Sequence, residues 1–208
     1  MTPRRSTVPL SPGPAGGLAR AILALAAAAL AWGAAPADLR AQELPRFDGL
    51  RPPFVAWQPP TPAPDLVWRD GRGEDRRLSA LHGRPVLVAF WATWCAPCVA
   101  EMPTLDALAE AMDGRLAVVP IALDEGGVSA VRRFYDRHGI DSLPVAVDPL
   151  GNTAYASDDW RRPGALPLFG LPMTWFVNAE GRLVGYVAGS ADWADDGARD
   201  LLKRLFGG

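Results

Sequence analysis

The stretch that most limits what this chain can become runs from Pro85 to Met112. Pro85-Val86-Leu87-Val88-Ala89-Phe90 is an uninterrupted apolar run of strand length. Trp91-Ala92-Thr93-Trp94-Cys95-Ala96-Pro97-Cys98 follows, and then Cys98, Met102, Leu105, Ala109 and Met112 recur at helical spacing. A strand therefore runs into a turn that opens a helix. The spacing places Cys95 at the helix N-terminus and Cys98 one turn inside, at the head of the apolar stripe. Pro97 fits the first turn, where no intrahelical N–H bond is forfeited.

Cys95 and Cys98 are the only two cysteines of the 208 residues. The unpaired N–H groups and the dipole of a helix N-terminus favour negative charge. A thiol placed there ionises well below the range of a free cysteine. Only the thiolate attacks a disulfide. Cys95, at the tip, is thus read as the nucleophile, and Cys98 as the resolving thiol. A structural zinc site needs four ligands, and the two histidines, His82 and His138, lack ligand spacing. A purely structural disulfide would close too short a loop to add much stability. The redox pair is the reading that the strand–helix context favours.

Trp94-Cys95-Ala96-Pro97-Cys98, with Pro103 five residues beyond, resembles a thioredoxin-fold active site. The longer string from Phe90 to Pro103, with its Glu101-Met102-Pro103 ending, resembles the TlpA/ResA branch of periplasmic thiol–disulfide oxidoreductases. The likeness extends over about Leu66 to Phe206. It implies an α/β, thioredoxin-like fold: a central mixed β-sheet flanked by helices, an N-terminal hairpin and a family-type β–α insertion.

Taken in order, Met1–Arg20 is basic, and Ala21–Ala37 is uncharged, with ten alanines and a small-x-small site at Ala35-Pro36-Ala37. Residues 1–41 read as a signal peptide or a membrane anchor, with the downstream domain exported in either case. Residues 42–65 are dense in proline and read as a semi-rigid spacer or a tail. The domain proper is expected over 66–208. Net charge is −2 over the chain, with no basic block, so nucleic acid binding has no support.

Leu66–Leu81 reads as a hairpin turned at Asp70-Gly71, with His82 on a surface loop. Leu116–Leu123 reads as a buried parallel strand. Val128, Val131, Phe134 and Tyr135 mark a helix ending near Gly139, and Pro144–Val147 a short strand. The family resemblance assigns this pair to its extra strand and helix. Asn152–Phe169 is longer than the connection in relatives. It reads as a surface insertion, or as a partner-recognition loop with Trp160, Arg161 and Arg162 in contact.

Gly170-Leu171-Pro172-Met173-Thr174 resembles the family's second motif, in which Pro172 would be the cis-proline facing the cysteines. Leu171 would then offer its backbone to an extended substrate. Arg182–Val187 reads as a hairpin partner, and Ala194, Ala198, Leu201, Leu202 and Leu205 as the stripe of a final helix. Val187–Ala194 resembles the TlpA side of the family.

Cytoplasmic thioredoxins carry an aspartate six residues before the first cysteine, where this chain has Ala89. The acid–base role of that aspartate is vacant or filled elsewhere. Glu101, one turn beyond Cys98, is the candidate, either raising the Cys98 pKa by like-charge repulsion or taking its proton. A solvated helix-face carboxylate is the alternative, and ResA-like proteins have a functional glutamate at this motif position. Trp94 and Pro97 are expected to touch substrate, and Trp91 to pack the core.

The family resemblance implies an exported protein-disulfide reductase of the periplasm, soluble or held at the inner membrane. Its cofactor would be the Cys95–Cys98 disulfide alone, and it would be re-reduced by a membrane dithiol donor. Its substrates would be cysteine pairs of apocytochrome c, or of a copper chaperone or oxidase subunit. Two rivals stand beside it. One is a disulfide-forming oxidase. The other is a Cu(I)-binding chaperone module using the two thiolates, with only Met102 and Met173 as further soft ligands.

Overall fold

The computed structural model describes residues 53–156 and 164–207. The expected signal or anchor segment, and residues 157–163 with Trp160, Arg161 and Arg162, lie outside the described residues.

The apolar run before the cysteines is strand β4 (Val86–Trp91), buried at every position. β5 (Ala117–Ala122), equally buried, lies parallel to it in the register Val86↔Ala117 to Trp91↔Ala122. Helix α1 (Ala96–Ala111) makes the crossover between them. A second crossover, α2 (Gly127–His138), leads to β6 (Ala146–Val147), parallel to β5. The continuous apolar runs follow from this arrangement, because central parallel strands are covered on both faces.

Antiparallel strands complete the sheet. β9 (Met173–Val177) pairs with β4, and β10 (Arg182–Ala188) pairs with β9. The expected hairpin, β2 (Val67–Asp70) and β3 (Asp75–Arg77), joins through β6 at the far side. Its turn is closed by the Asp70 carboxylate, which accepts from the backbone N–H groups of Arg72 (2.8 Å) and Glu74 (3.0 Å). Helix α3 (Asp196–Phe206) closes the chain. It begins two residues later than the apolar stripe implies: Asp195 caps it by accepting from the Gly197 N–H at 2.6 Å, and Ala194 is exposed.

The two faces of the sheet are covered differently. Alternation along β4 sends Leu87, Ala89 and Trp91 to one face. There they meet Met102, Leu105 and Leu108 of α1, Val131, Phe134 and Tyr135 of α2, and Ala198, Leu201 and Leu202 of α3. Val86, Val88 and Phe90 point the other way, into a core with Trp175 that extended chain and one short 3-10 helix cover, including Leu66, Trp68, Leu78, Ala154 and Leu166. All three described α-helices thus lie on the first face, and the short 3-10 helix Leu78–Leu81 on the second.

Two expectations are corrected here. Residues 54–62, placed in the proline-rich spacer, form strand β1 (Phe54–Pro62), which pairs antiparallel with β10 at the sheet edge. The ladder shifts register between Ala56 and Thr61, around Pro59 and Pro60, which have no N–H to donate. An edge strand tolerates such residues. Aromatic packing holds it: Phe54 meets Phe176 and Trp57 meets Trp175, each with ring centroids 5.3 Å apart.

The 152–169 stretch is also more than a surface insertion. Its ends form a parallel pair, β7 (Ala154–Ala156) and β8 (Leu166–Leu168). Buried Asp148 accepts from both the N–H and the hydroxyl of Thr153 at 2.6 Å. The Trp175 indole N–H donates to the Pro167 carbonyl at 3.0 Å. Ala154 and Leu166 are buried in the second core, so this segment covers part of the face opposite the three α-helices.

Candidate active site

Strand β4 ends at Trp91, whose indole N–H donates to the Pro120 carbonyl at 3.2 Å. Its ring lies among Phe134 and Tyr135, in the core-packing place expected of it. The turn that follows is held from β5. Because Trp91 is opposite Ala122 in the parallel register, residues two beyond each strand, Thr93 and Asp124, meet. Buried Asp124 accepts from the Thr93 backbone N–H at 3.0 Å and also from its hydroxyl.

Cys95 is the N-cap of α1, with Pro97 in the first turn. Cys95 and Cys98 are joined as a disulfide. The Cys98 backbone N–H, one of the orphan donors of the helix end, points at Cys95 Sγ at 3.3 Å. That is where a thiolate would be stabilised after reduction. Cys95 is 6% exposed and Cys98 1%. Around the outer sulfur the surface opens: Trp94 is 69% exposed, and Ala96 and Pro97 are exposed.

The Leu171–Pro172 peptide is cis. Since Met173 pairs with Phe90 at the end of the β4–β9 ladder, the continuation through Pro172 and Leu171 runs beside Trp91 and Ala92, at the head of the cysteine turn. Pro172 is buried and Leu171 half-buried, the latter packed against both cores. Phe169, half exposed, precedes them and leans on Tyr186 with centroids 5.4 Å apart.

Glu101 faces inward from α1, one turn beyond Cys98, and is 4% exposed in the same core cluster region as the disulfide. Its carboxylate accepts from the Trp193 indole N–H and from the Ala191 backbone N–H. Burial pushes its pKa up to about 7, against the pull of these two donors. Glu101 can therefore exchange a proton near neutral pH, which suits an acid–base group. The structure brings Cys95, Cys98, Trp94, Pro97 and Glu101 onto one helix start, with Leu171 and Pro172 on the adjoining strand.

Sequence reasoning missed Trp193, Ala191, Thr93 and Asp124. The last two had a readable signal, because polar residues just past neighbouring parallel strands meet at the strand ends. Trp193 lies 92 residues from Glu101, and no local pattern connects them.

The sequence pattern of the AhpC/TSA family matches residues 59–185. The chain is 36% identical over 94 residues to the thioredoxin-like protein YneN of Bacillus subtilis, covering 44% of this chain and 55% of that one. It is 30% identical over 129 residues to the thiol–disulfide oxidoreductase ResA of the same organism, covering 62% and 66%. The matched region is thus between about half and two thirds of those relatives' own lengths. Among solved structures, the exposed lipoprotein thioredoxin Etrx1 of Streptococcus pneumoniae superposes with a TM-score of 0.53 at 27% identity, covering 68% of this chain and 99% of that one. The shared architecture is thioredoxin-like.

Proposed function

The chain belongs to the AhpC/TSA family and to its TlpA/ResA-like group, and on that footing we propose that it is an exported thiol–disulfide oxidoreductase that reduces disulfides in other proteins. The observation that carries this reading is the cysteine pair itself. A disulfide sits at a helix N-cap, its outer sulfur bordered by open apolar surface and its inner sulfur followed by a buried carboxylate. ResA, the relative named above, is a thiol–disulfide oxidoreductase.

In the reduced protein, the Cys95 thiolate attacks one sulfur of a client disulfide. The client S–S bond breaks, its other sulfur leaves as a thiolate, and a mixed disulfide forms on Cys95. Cys98 then gives its proton to Glu101 and, as thiolate, attacks Cys95 Sγ. The Cys95–Cys98 bond re-forms and the second client thiolate departs. Two electrons have passed to the client, and the oxidised state is the one the structure represents. A membrane dithiol returns the two electrons. Trp94, Pro97 and Leu171 supply the surface that the client touches, with Pro172 beside the head of the cysteine turn.

The clients of this reading are cysteine pairs of apocytochrome c, or of a copper chaperone or oxidase subunit, in the periplasm. Both would need a reductant because that compartment forms disulfides. Residues 1–41 would carry the chain there as signal or anchor.

The test is the reduction potential of the Cys95–Cys98 couple in the full chain, equilibrated against dithiothreitol or glutathione. A value near or below about −270 mV is expected of a dedicated reductant. A value near about −120 mV would make the protein an oxidant of its clients and overturn the proposed direction.

A further inference from the structure

The loop between β10 and α3 touches the redox centre at both of its halves. The Gly189 backbone N–H donates to the Pro172 carbonyl at 2.8 Å. Two residues on, the Ala191 N–H reaches the Glu101 carboxylate, and the Trp193 indole N–H reaches it as well. A further bond locks the loop to the helix: the Trp193 backbone N–H donates to Thr104 Oγ1 at 3.2 Å, while the Thr104 hydroxyl donates to the Glu101 carbonyl at 3.0 Å. Trp193 is 1% exposed and packs on Phe176 with centroids 6.1 Å apart.

We propose that Trp193 is a positioning residue of the redox centre: its indole N–H orients the Glu101 carboxylate and favours its ionised form, which takes the Cys98 proton when the mixed disulfide resolves. The inference rests on the oxidoreductase reading above and deepens it, since nothing in that reading assigned a role to Trp193.

The physical argument is one of satisfaction in a closed site. A buried carboxylate without partners reverts to its neutral form. Here the two donors come from one loop, and one of them is a rigid ring fixed by core packing. An indole N–H can only donate, so the bond favours the ionised acceptor over the protonated acid. The titratable or charged groups on the surrounding elements are Cys95, Cys98, Asp106 and Glu110 on the same helix, Asp124 past β5, Asp192 and Asp195 in the loop, and Asp196, Arg199, Asp200, Lys203 and Arg204 on α3. None of them hydrogen-bonds or ion-pairs with Glu101, and the charged groups of the loop and α3 are exposed. The two N–H donors are therefore the interactions that favour the charged carboxylate against the pull of burial.

The experiment uses the full chain with Trp193→Phe. In a second protein, a tryptophan analogue with sulfur in place of the ring N–H stands at 193 alone, so that ring size and packing are retained. Two quantities are read. One is the protonation midpoint of Glu101 in the oxidised protein, from its side-chain carboxyl carbon resonance. The other is the pH dependence of mixed-disulfide resolution by stopped flow. Both midpoints are expected to move upward together by about one pH unit in both variants, and resolution at pH 7 to slow several-fold. In a Glu101→Gln background the same changes at 193 should leave resolution where Glu101→Gln alone puts it.

A Glu101 midpoint that stays in place, or an equal slowing in the Glu101→Gln background, would overturn the assignment and reduce Trp193 to packing. A midpoint that moves without any change in resolution would overturn its role in the reaction. If the unaltered protein failed to reduce client disulfides while the Glu101 midpoint still moved, the oxidoreductase reading would fall, and the hydrogen-bond control of Glu101 would stand.

Discussion

At its outer end the cysteine motif borders open surface: Trp94 is largely exposed, as are Ala96 and Pro97. At its inner end, one helical turn on, Cys98, Glu101 and Trp193 are all nearly free of water contact. The two ends differ in chemistry as well as in exposure. The outer end offers apolar contact area and a sulfur at a helix N-cap, which is what capture of another protein's disulfide requires. The inner end offers a carboxylate whose proton affinity has been raised by burial, which is what proton transfer near neutrality requires. The comparison teaches that, in the proposed mechanism, binding and proton handling fall to different residues a single turn apart, so that each can be disturbed without the other.

The strongest way to break that division is to remove the inner sulfur. Cys98→Ser is expected to abolish turnover while leaving capture intact, so a covalent client complex accumulates on non-reducing gels. Normal turnover by that variant would erase the distinction between the ends. Next in size is Glu101→Gln, which should slow resolution by about 100-fold, at the low end of what a positioned base contributes, with the initial attack unchanged in stopped flow. A slowed attack instead would move Glu101 to the outer function.

A thermodynamic effect at the inner end is smaller. Unfolded Glu101 ionises near its ordinary value of 4.5, whereas folded Glu101 holds its proton to about 7. Between those values the folded state binds the extra proton. Glu101's contribution is therefore fully present below about pH 4.5 and is lost as pH rises through about 7. The loss is at most about 3 kcal/mol. Urea titrations of the oxidised protein across this range should show the decline, and Glu101→Gln should flatten it. The smallest effect is at the outer end. Trp94→Ala should weaken client capture about tenfold and leave the resolution rate alone. An altered resolution rate in that variant would show that the ends are coupled.

Much of this was legible from residue order. The β4–turn–α1 unit announces itself because strand and helix periods abut at the cysteines, and burial follows the pattern at Cys98, Met102 and Leu105. β5 and α2 were readable for the same reason. The edge strand β1 was not, because its prolines mask strand character and its partner β10 lies more than a hundred residues on. Strands β7 and β8, of three residues each, are too short for alternation to register. At the site, position along α1 identified Glu101, but the environment that sets its proton affinity comes from a distant loop. The pattern thus located the group and left its tuning unread.

Both cysteines of the chain are engaged in one bond. Alkylation of the intact protein followed by weighing therefore has only three readings. No label marks the oxidised couple and two labels the reduced one. One label on this chain, at Cys98, with the mass of a second chain and the label on that chain's own freed thiol attached, marks the intermediate caught between them. The protein is its own gauge, and the populations along a catalytic cycle can be counted in unaltered chain without a reference thiol.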